Sequence, residues 1–530
     1  MLINAQHISY HTPNREPLFS HINFSLQKGD KAAIVGNNGA GKTTLLKIIA
    51  GLEKNYSGNL QVAGHLYYIP QHYGHFNHFT VAEALGIAPL LEALRAVEEG
   101  AVDPHYYDLL EHNWDITARC EEAFARWGLQ GISLEQPLQQ LSGGMKTRLF
   151  LSGIDIFKPA VVLLDEPTNH LDRQARSQLY GWMENTACTL LLTSHDRQLL
   201  RLCNPIWELS ASGVKVYGGN YDLYAAQKDT ETAAIEHKLA HHEKTLKEAR
   251  QKQQQALERK QHADAQARKR YAGSSEPKGF LNGRRNAAEA STSKLKQVHA
   301  DKVSELRADL EEVAAMAQVQ RIMKGYFGAS TLPASKVLIQ ATGVNHAFNN
   351  DQWLWPEPLT LTIRSGSRLA ISGNNGSGKT TLLNILQRRV EPGQGGVTAA
   401  DCRALLLDQD YSLIDRQKTV LQQTESFNEA RLEAARVHTL LAGFLFGPAD
   451  WEKPCAVLSG GEMLRLALCC MVLQHKAPDI IFLDEPTNNL DLANIDMLGK
   501  VFASYRGALV IISHDAGFLQ DAGITEELHL

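Results

Sequence analysis

The chain has 530 residues, of which 44% are hydrophobic and 21% charged, with a net charge of −5. At about 100–200 residues per domain this length accommodates two to four domains, and the ordinary composition excludes collagen-like and wholly disordered proteins. The longest uncharged apolar run, residues 466–473, is far shorter than the roughly 20 residues that span a bilayer, and no secretory signal is evident. Seven cysteines without a C-x-x-C pair argue against structural zinc and a disulfide framework, and favour a reducing cytoplasm.

The first strong pattern along the chain is a glycine-rich loop between a predicted strand and a predicted helix. Residues 31–35 predict a short buried strand and residues 45–49 a helix, and residues 36–43 between them match G-x-x-x-x-G-K-[ST]. In that context the loop amides and the helix N-terminus form a phosphate cradle. Lys42 would neutralise the β- and γ-phosphates and Thr43 would ligate Mg²⁺. A single copy could also be an accidental glycine-rich turn.

Further predicted strands end at polar residues. Residues 66–69 precede Gln71, residues 161–164 precede Asp165 and Glu166, and residues 189–193 precede His195. Functional groups of parallel α/β sheets lie at the carboxyl ends of strands. Asp165 would hold Mg²⁺ through water, Glu166 would polarise the attacking water as a general base, and His195 would contact the γ-phosphate. The alternative interpretations are that the carboxylates are merely solvated at the strand ends and that the histidine is structural. A glutamine alone indicates no function.

The whole pattern recurs in the second half of the chain. The segments at 36–46, 141–144, 164–169 and 194–196 return at 373–383, 458–461, 483–488 and 513–515. The spacing from acid to histidine is 30 residues in both copies. The interval from the glutamine to the serine of the Leu-Ser-Gly-Gly segment is 71 residues in the first copy and 50 in the second. We therefore predict an α/β domain over residues 1–224, with a short insertion at about 75–135, and a second over residues 336–530.

The middle segment, residues 225–335, has a different composition. It consists mostly of good helix formers, and apolar residues from 303 to 317 follow the 3,4 spacing of a short coiled-coil seam. Residues 225–325 hold 20 basic and 14 acidic residues, and residues 244–302 hold 15 and 6. The sequence therefore predicts an acidic body that carries a basic protrusion, an antiparallel helical hairpin with its tip near residues 273–293.

The order of these motifs, repeated twice, resembles a tandem ABC ATPase. In that superfamily two α/β domains with α-helical subdomains pack head to tail, so that each ATP lies between one phosphate loop and the opposite Leu-Ser-Gly-Gly signature. The resemblance, together with the motif chemistry above, gives the following candidates. Catalytic residues would be Glu166, Glu485, His195 and His514. ATP would contact Gly36, Asn37, Asn38, Gly39, Ala40, Gly41, Lys42, Thr43, Thr44, Gln71, Ser142, Gly143, Gly144, Asp165, Gly373, Asn374, Asn375, Gly376, Ser377, Gly378, Lys379, Thr380, Thr381, Gln409, Ser459, Gly460, Gly461 and Asp484. Mg²⁺ would be held, partly through water, by Thr43, Gln71, Asp165, Thr380, Gln409 and Asp484. Tyr10 and Phe348 could stack on adenine, with core packing as the alternative.

A more specific resemblance is to the ABC-F family of soluble tandem ATPases. The stretch from Asp165 to Asp172 (Asp-Glu-Pro-Thr-Asn-His-Leu-Asp) and the stretch Gly-Gly-Asn-Tyr-Asp-Leu-Tyr at 218–224 are similar to motifs of that family. This resemblance implies a protein that closes on two ATP molecules and binds the exit-site region of the ribosome. The linker would reach toward the peptidyl-tRNA and peptidyl-transferase centre, and ATP hydrolysis would release the protein. Translation regulation and protection of the ribosome from antibiotics both fit the family. One departure is Met145, where glutamine or glutamate is usual.

Other functions fit parts of the pattern. The chain could be the ATPase subunit of a membrane transporter, although a basic hairpin has no evident purpose there. It could also be a DNA-structure or DNA-repair ATPase, which the basic hairpin suits. The linker itself could be a solvated spacer, or it could contact the phosphate backbone of rRNA and tRNA. The best RNA-contact candidates are Arg268, Lys269, Arg270, Lys278, Arg284 and Arg285. Because both domains lie in one chain, we expect a functional monomer without an obligate protein partner.

Overall fold

The computed structural model describes residues 1–210, 213–231, 233–234, 322–323, 326, 333, 335–348, 352–474, 476–488 and 490–530. It divides into two compact units. One unit joins residues 1–224 with residues 320–530, and the other comprises residues 225–319. Most of the predicted linker hairpin, with its tip near residues 273–293, and all six RNA-contact candidates lie outside the described residues, so these expectations stay predictions.

The first half of the chain folds into a parallel sheet beside an antiparallel one. The strands are β1 Ile3–His11, β2 Pro17–Leu26, β3 Lys31–Val35, β4 Ser57–Val62, β5 Leu66–Ile69, β6 Val161–Asp165, β7 Thr189–Thr193, β8 Ile206–Ser210 and β9 Gly213–Tyr217. The larger sheet has the order β5-β6-β7-β3-β8-β9, in which all neighbours are parallel except β8 and β9. The smaller sheet, β2-β1-β4, is antiparallel. The predicted strands at 31–35, 66–69, 161–164 and 189–193 are confirmed.

A helical stretch starts at residue 221, and eight further α-helices complete the described part of this half. They are α1 Lys42–Ile49, α2 Val81–Leu85, α3 Ala88–Glu98, α4 Pro104–Leu110, α5 Ile116–Arg126, α6 Gly143–Phe157, α7 Arg173–Asn185 and α8 Arg197–Arg201. The core packs α1 against both sheets, with Ile8, Phe19, Leu46 and Leu163 fully buried. Helices α3, α4 and α5 occupy the interval in which the first copy carries extra residues, so the excess sequence is helical.

The second half repeats this architecture. Its strands are β10 Val337–Asn345, β11 Leu359–Arg364, β12 Arg368–Ser372, β13 Gln394–Ala399, β14 Ala404–Leu407, β15 Ile480–Asp484, β16 Ala508–Ile512 and β17 Glu526–His529. Its helices are α9 Lys379–Leu386, α10 Val420–Ser426, α11 Ala434–Gly443, α12 Gly460–Leu473, α13 Leu492–Ala503 and α14 Ala516–Asp521. The parallel sheet has the order β14-β15-β16-β12-β17, and β11-β10-β13 is antiparallel. The predicted fold of two tandem α/β domains is therefore confirmed.

The sheet order explains why the motifs meet. In both domains the strand that carries the acids neighbours the strand that precedes the histidine, and that strand neighbours the one that precedes the glycine-rich loop. Since parallel strands present their carboxyl ends at the same edge, three motifs that are spread over more than 130 residues of sequence converge there. No helix among the described residues is both long and apolar enough to cross a bilayer.

Candidate functional site

The first glycine-rich loop has the backbone of a phosphate cradle. Gly36, Gly39 and Gly41 have φ angles of 149°, 84° and 94°, which side chains with a Cβ rarely adopt. A Cβ at Gly41 would also lie 2.8 Å from Phe19, so this position is closed to larger residues. The Lys42 ammonium lies inside the loop, where it donates to the Gly36 oxygen at 2.6 Å. The loop therefore holds a buried cation at the N-terminus of α1, an arrangement that suits a bound phosphate.

The second loop reproduces this geometry closely. Gly373, Gly376 and Gly378 have φ angles of 151°, 84° and 88°. Lys379 donates to the oxygens of Gly373 at 2.9 Å and Asn374 at 3.0 Å. Burial lowers the pKa of both loop lysines, Lys42 and Lys379. A nearby anion stabilises the charged form of a buried ammonium whose pKa is lowered by desolvation. Both loops therefore fit the polyphosphate of ATP.

A carboxylate and a hydroxyl face each other beside each loop. Thr43 donates its hydroxyl to Asp165 Oδ1 at 3.1 Å, and Thr380 donates to Asp484 Oδ2 at 2.9 Å. Hydroxyl and carboxylate oxygens are the hard donors that Mg²⁺ takes, together with substrate phosphates. The residues present therefore fit a magnesium ion bound with the nucleotide.

The second acid of each pair lies against the histidine of the neighbouring strand. The distance from His195 Nε2 to Glu166 Oε1 is 3.2 Å, and that from His514 Nε2 to Glu485 Oε1 is 3.3 Å. Burial raises the pKa of both glutamates to about 7. It lowers the pKa of His514 to about 4, with help from the positive charge of Arg176, and it also lowers the pKa of His195 well below its ordinary value. Each site thus pairs a neutral imidazole with a carboxyl group poised near neutral pH, as a general base requires.

Loops of the two domains meet at these sites. The Nδ2 atom of Asn375, in the second glycine-rich loop, donates to the His170 oxygen of the first domain at 2.9 Å. The backbone N–H of Asn38, in the first glycine-rich loop, donates to Asp491 Oδ2 of the second domain at 3.1 Å. Gly144, in the first signature, is so close to the second loop that a Cβ there would lie 3.3 Å from Asn375 Nδ2. The domains are therefore arranged head to tail, with each glycine-rich loop against the opposite domain.

The signatures begin the helices that approach these loops. Ser142 Oγ accepts a hydrogen bond from the Met145 amide at 3.3 Å at the start of α6. Ser459 begins α12 in the same way, but there Glu462 completes a capping box and pairs with Lys453 at 2.9 Å. Met145 cannot form the reciprocal bond, so the departure noted in the sequence removes an acid from one signature.

The remaining candidates occupy different surroundings. Gln71 lines a cavity of about 460 Å³ together with Thr43 and Asp165, whereas Gln409 is exposed. Tyr10 is partly buried and its ring lies 6.1 Å from that of Phe19, at the edge of the first core. Phe348 is 71% exposed. The two aromatic candidates are thus not equivalent in position.

The sequence analysis missed several charged residues where the domains meet. Arg197, directly after the first histidine motif, pairs with Asp521 at 2.8 Å and with Asp496, both from the second domain. Arg176, in the first turn of α7, bonds Asp196 at 3.4 Å, and its positive charge lowers the pKa of Glu485 more than that of Lys379 does. Aligning the two repeats would have shown that Arg176 and Arg197 correspond to Ile495 and Ala516, but not what they contact.

Comparisons with known proteins place the repeated motifs in a family. The family model described as "ABC transporter" matches residues 19–169 and 356–488. The Bacillus subtilis ATP-binding protein YdiF is 31% identical over 95% of this chain and 76% of its own length. ABC transporter F family member 2 of Arabidopsis thaliana is 29% identical over 94% of this chain and 72% of its own length. The resemblance that the motifs indicated is therefore confirmed.

One further relative and one solved structure of similar fold carry names that mention the ribosome. The ribosome protection protein VmlR of Bacillus subtilis is 27% identical over 98% of this chain and 85% of its own length. The solved structure of an archaeal ribosome recycling factor, aABCE1, in complex with the stalk protein aP1, aligns with a TM-score of 0.59 at 17% identity. That alignment covers 99% of this chain and 87% of the other, and it confirms the two-domain fold.

Proposed function

The chain belongs to the ABC-F family of tandem ABC ATPases, and from that premise we propose that it binds two ATP molecules between its domains and acts on the ribosome. Its domains are ATP-hydrolysing domains. The observation that carries the proposal is the head-to-tail contact of the loops, Asn375 with His170 and Asn38 with Asp491. Two nucleotides held this way would each contact both domains and so stabilise their association.

Each site draws its parts from both domains. The first site combines Lys42 and Thr43 with the signature that begins at Ser459, and the second combines Lys379 and Thr380 with the signature that begins at Ser142. The lysine in each site would bind the β- and γ-phosphates, and the signature serine with its following amides would bind the γ-phosphate from the other side. ATP therefore contributes its full binding energy only when the domains are together, and that difference drives their closure.

Hydrolysis would use the acid and histidine pairs. Glu166 and Glu485 would accept a proton from the attacking water, and His195 and His514, held neutral by burial, would orient the γ-phosphate. Mg²⁺, when bound, would neutralise charge on the phosphates. The hydroxyl and carboxylate pairs described above would hold that ion, and Gln71 and Gln409 would approach it from the neighbouring strand.

The ribosomal part of the proposal draws on relatives and on charge. A 27% identical relative is named a ribosome protection protein. The basic stretch at 244–302, on an otherwise acidic chain, suits the phosphate backbone of RNA. We place binding at the exit-site region, with the linker directed toward the peptidyl-tRNA, in a cytoplasmic protein that works as a monomer. Translation regulation and antibiotic protection are the two roles this binding would serve.

The test uses a variant that retains ATP. Glu166→Gln and Glu485→Gln together remove both general bases, so the protein should bind ATP and remain closed. We expect this variant to sediment with 70S ribosomes in the presence of ATP and to remain in the supernatant without it. A version lacking residues 245–300 should lose most of that binding.

Two outcomes would contradict the ribosomal proposal. One is the absence of ribosome binding while the closed, ATP-loaded state is verified by retained nucleotide. The other is tighter, salt-dependent binding to duplex DNA, which would favour a DNA-structure ATPase. Co-fractionation with membranes would instead favour a transporter subunit.

A further inference from the structure

The first carboxylate of each site is held differently in the two domains. Asp165 is fully buried and accepts three hydroxyl hydrogen bonds, from Thr43 at 3.1 Å, Thr193 at 2.6 Å and Tyr68 at 3.3 Å. Among the described residues, Asp484 accepts a hydroxyl hydrogen bond from Thr380 alone. The two sites share the threonine of the glycine-rich loop, so the difference comes from two additional donors in the first site.

Strand register shows that these donors have no counterparts in the second domain. Thr193 lies opposite Asp165 across β6 and β7, and Ile512 occupies the matching position opposite Asp484 across β15 and β16. Tyr68 occupies the third position of the four-residue strand β5, and Leu406 occupies the third position of β14. Isoleucine and leucine donate no hydrogen bond, so the second site cannot form these contacts.

Thr193 also connects the two acids of the first site. Its hydroxyl donates to Asp165 Oδ1 and accepts a hydrogen bond from the Glu166 amide at 3.2 Å. The residue is fully buried, so water does not compete for either bond. One hydroxyl therefore fixes the carboxylate of Asp165 and adds to the main-chain bond, at 3.0 Å, by which the Glu166 amide donates to the Thr193 oxygen.

We propose that Thr193 and Tyr68 are positioning residues that orient Asp165 toward the metal ion of the first ATP site, and that their absence makes the two sites unequal in metal affinity. This inference rests on the proposed role of Asp165 as a metal-holding residue. Outer hydrogen bonds that orient a ligand typically change metal affinity by 10–100-fold. The first site, with its carboxylate oriented in advance, binds the metal ion of the nucleotide more tightly than the second.

The experiment isolates the first site and measures metal binding directly. In a Lys379→Ala background, which disables the second loop, Mn²⁺ is titrated in the presence of a non-hydrolysable ATP analogue and followed by electron paramagnetic resonance. Thr193→Val, which keeps the shape but removes the hydroxyl, should weaken Mn²⁺ binding about tenfold. Tyr68→Phe should have a smaller effect, because its bond to Asp165 is longer.

The same strand offers a matched control. Thr189 is also fully buried, and its hydroxyl accepts a hydrogen bond from the Gly29 amide at 2.8 Å, at the other end of β7. Thr189→Val removes a comparable bond far from Asp165, so Mn²⁺ affinity should change less than about twofold. Ile512→Thr in a Lys42→Ala background should strengthen metal binding at the second site.

The outcomes separate this inference from the function on which it rests. If the Lys379→Ala parent binds no Mn²⁺ with nucleotide, the proposed site roles are wrong. If the parent binds Mn²⁺ but Thr193→Val binds equally well or more tightly, the hydroxyls do not orient the carboxylate and the inference is wrong. Equal losses in Thr193→Val and Thr189→Val would also overturn it, because the effect would then be structural.

Discussion

The contacts of Arg197 lead to a specific prediction about how the domains associate. It belongs to the first domain, its side chain is only 13% exposed, and it pairs with Asp496 and Asp521 of the second. When the two repeats are aligned, Arg197 corresponds to Ala516 of the second domain. Its two aspartate partners correspond to Ser177 and Leu202 of the first domain, so the repeat does not duplicate this contact. Replacing Arg197 with alanine should therefore remove both of these ion pairs and weaken the association of the two domains.

The magnitude follows from burial. A hydrogen bond to a charged group contributes about 1.5–3 kcal/mol, whereas an exposed ion pair contributes less than about 1 kcal/mol. The arginine is largely buried, but the two aspartates are 45% and 40% exposed and can be rehydrated. We therefore expect a loss of about 1.5–2.5 kcal/mol. Because closure binds two ATP molecules, this loss is divided between them and raises the ATP concentration needed for closure by about 4–8-fold.

The assay follows closure by energy transfer between dyes at two exposed positions, Leu52 and Val457, during an ATP titration. Arg201→Ala is the matched control, since Arg201 lies on the same helix and pairs with Asp222 within its own domain at 2.8 Å. The control should close at the ATP concentration of the parent protein. If Arg197→Ala and Arg201→Ala close at the same concentration, the Arg197 pairs do not stabilise the domain contact.

Two further predictions concern pH and packing. Because burial raises the pKa of Glu166 and Glu485 to about 7, both lose their basic form as the pH falls, so a pH–rate profile of kcat/KM for ATP should decline about tenfold per unit below pH 7 and level off above pH 8. A profile that declines only below pH 5 would show that neither glutamate is the base. Gly153→Ala would place a methyl group against the Tyr67 hydroxyl and should cost about 1–3 kcal/mol in urea unfolding. Gly181→Ala, with open space around it in α7, should instead gain up to about 1 kcal/mol, and equal effects of the two changes would contradict the packing described.

The sequence predicted the parts of each site that depend on local order along the chain. Strands 31–35 and 161–164 with their following motifs were evident, because apolar runs end at polar residues and parallel strands bring those ends together. The contacts of Arg197 could not be predicted in this way. They depend on the relative position of two domain surfaces whose contacting residues are 299 and 324 positions apart in sequence, which no local pattern encodes.

The hydroxyl hydrogen bonds to Asp165 are a second feature that could not be predicted from the sequence. Thr193 ends an apolar strand and looks like an ordinary β-branched residue, and its role depends on facing Asp165 across the register of two strands. Tyr68 is equally ordinary in a strand. The motifs of the two repeats left open whether the two sites are equivalent, because these hydroxyl donors to Asp165 lie in residues outside the motifs.

The most direct test of the central claim asks which signature serves which loop. In a Glu166→Gln variant only the second site, with Lys379, can hydrolyse ATP in a first turnover. The account predicts that Ser142→Arg lowers this hydrolysis at least about tenfold, and that Ser459→Arg lowers it far less. In a Glu485→Gln variant the order should be reversed. If each serine instead affects the site of its own domain, the nucleotides are not shared between the domains and the account is wrong.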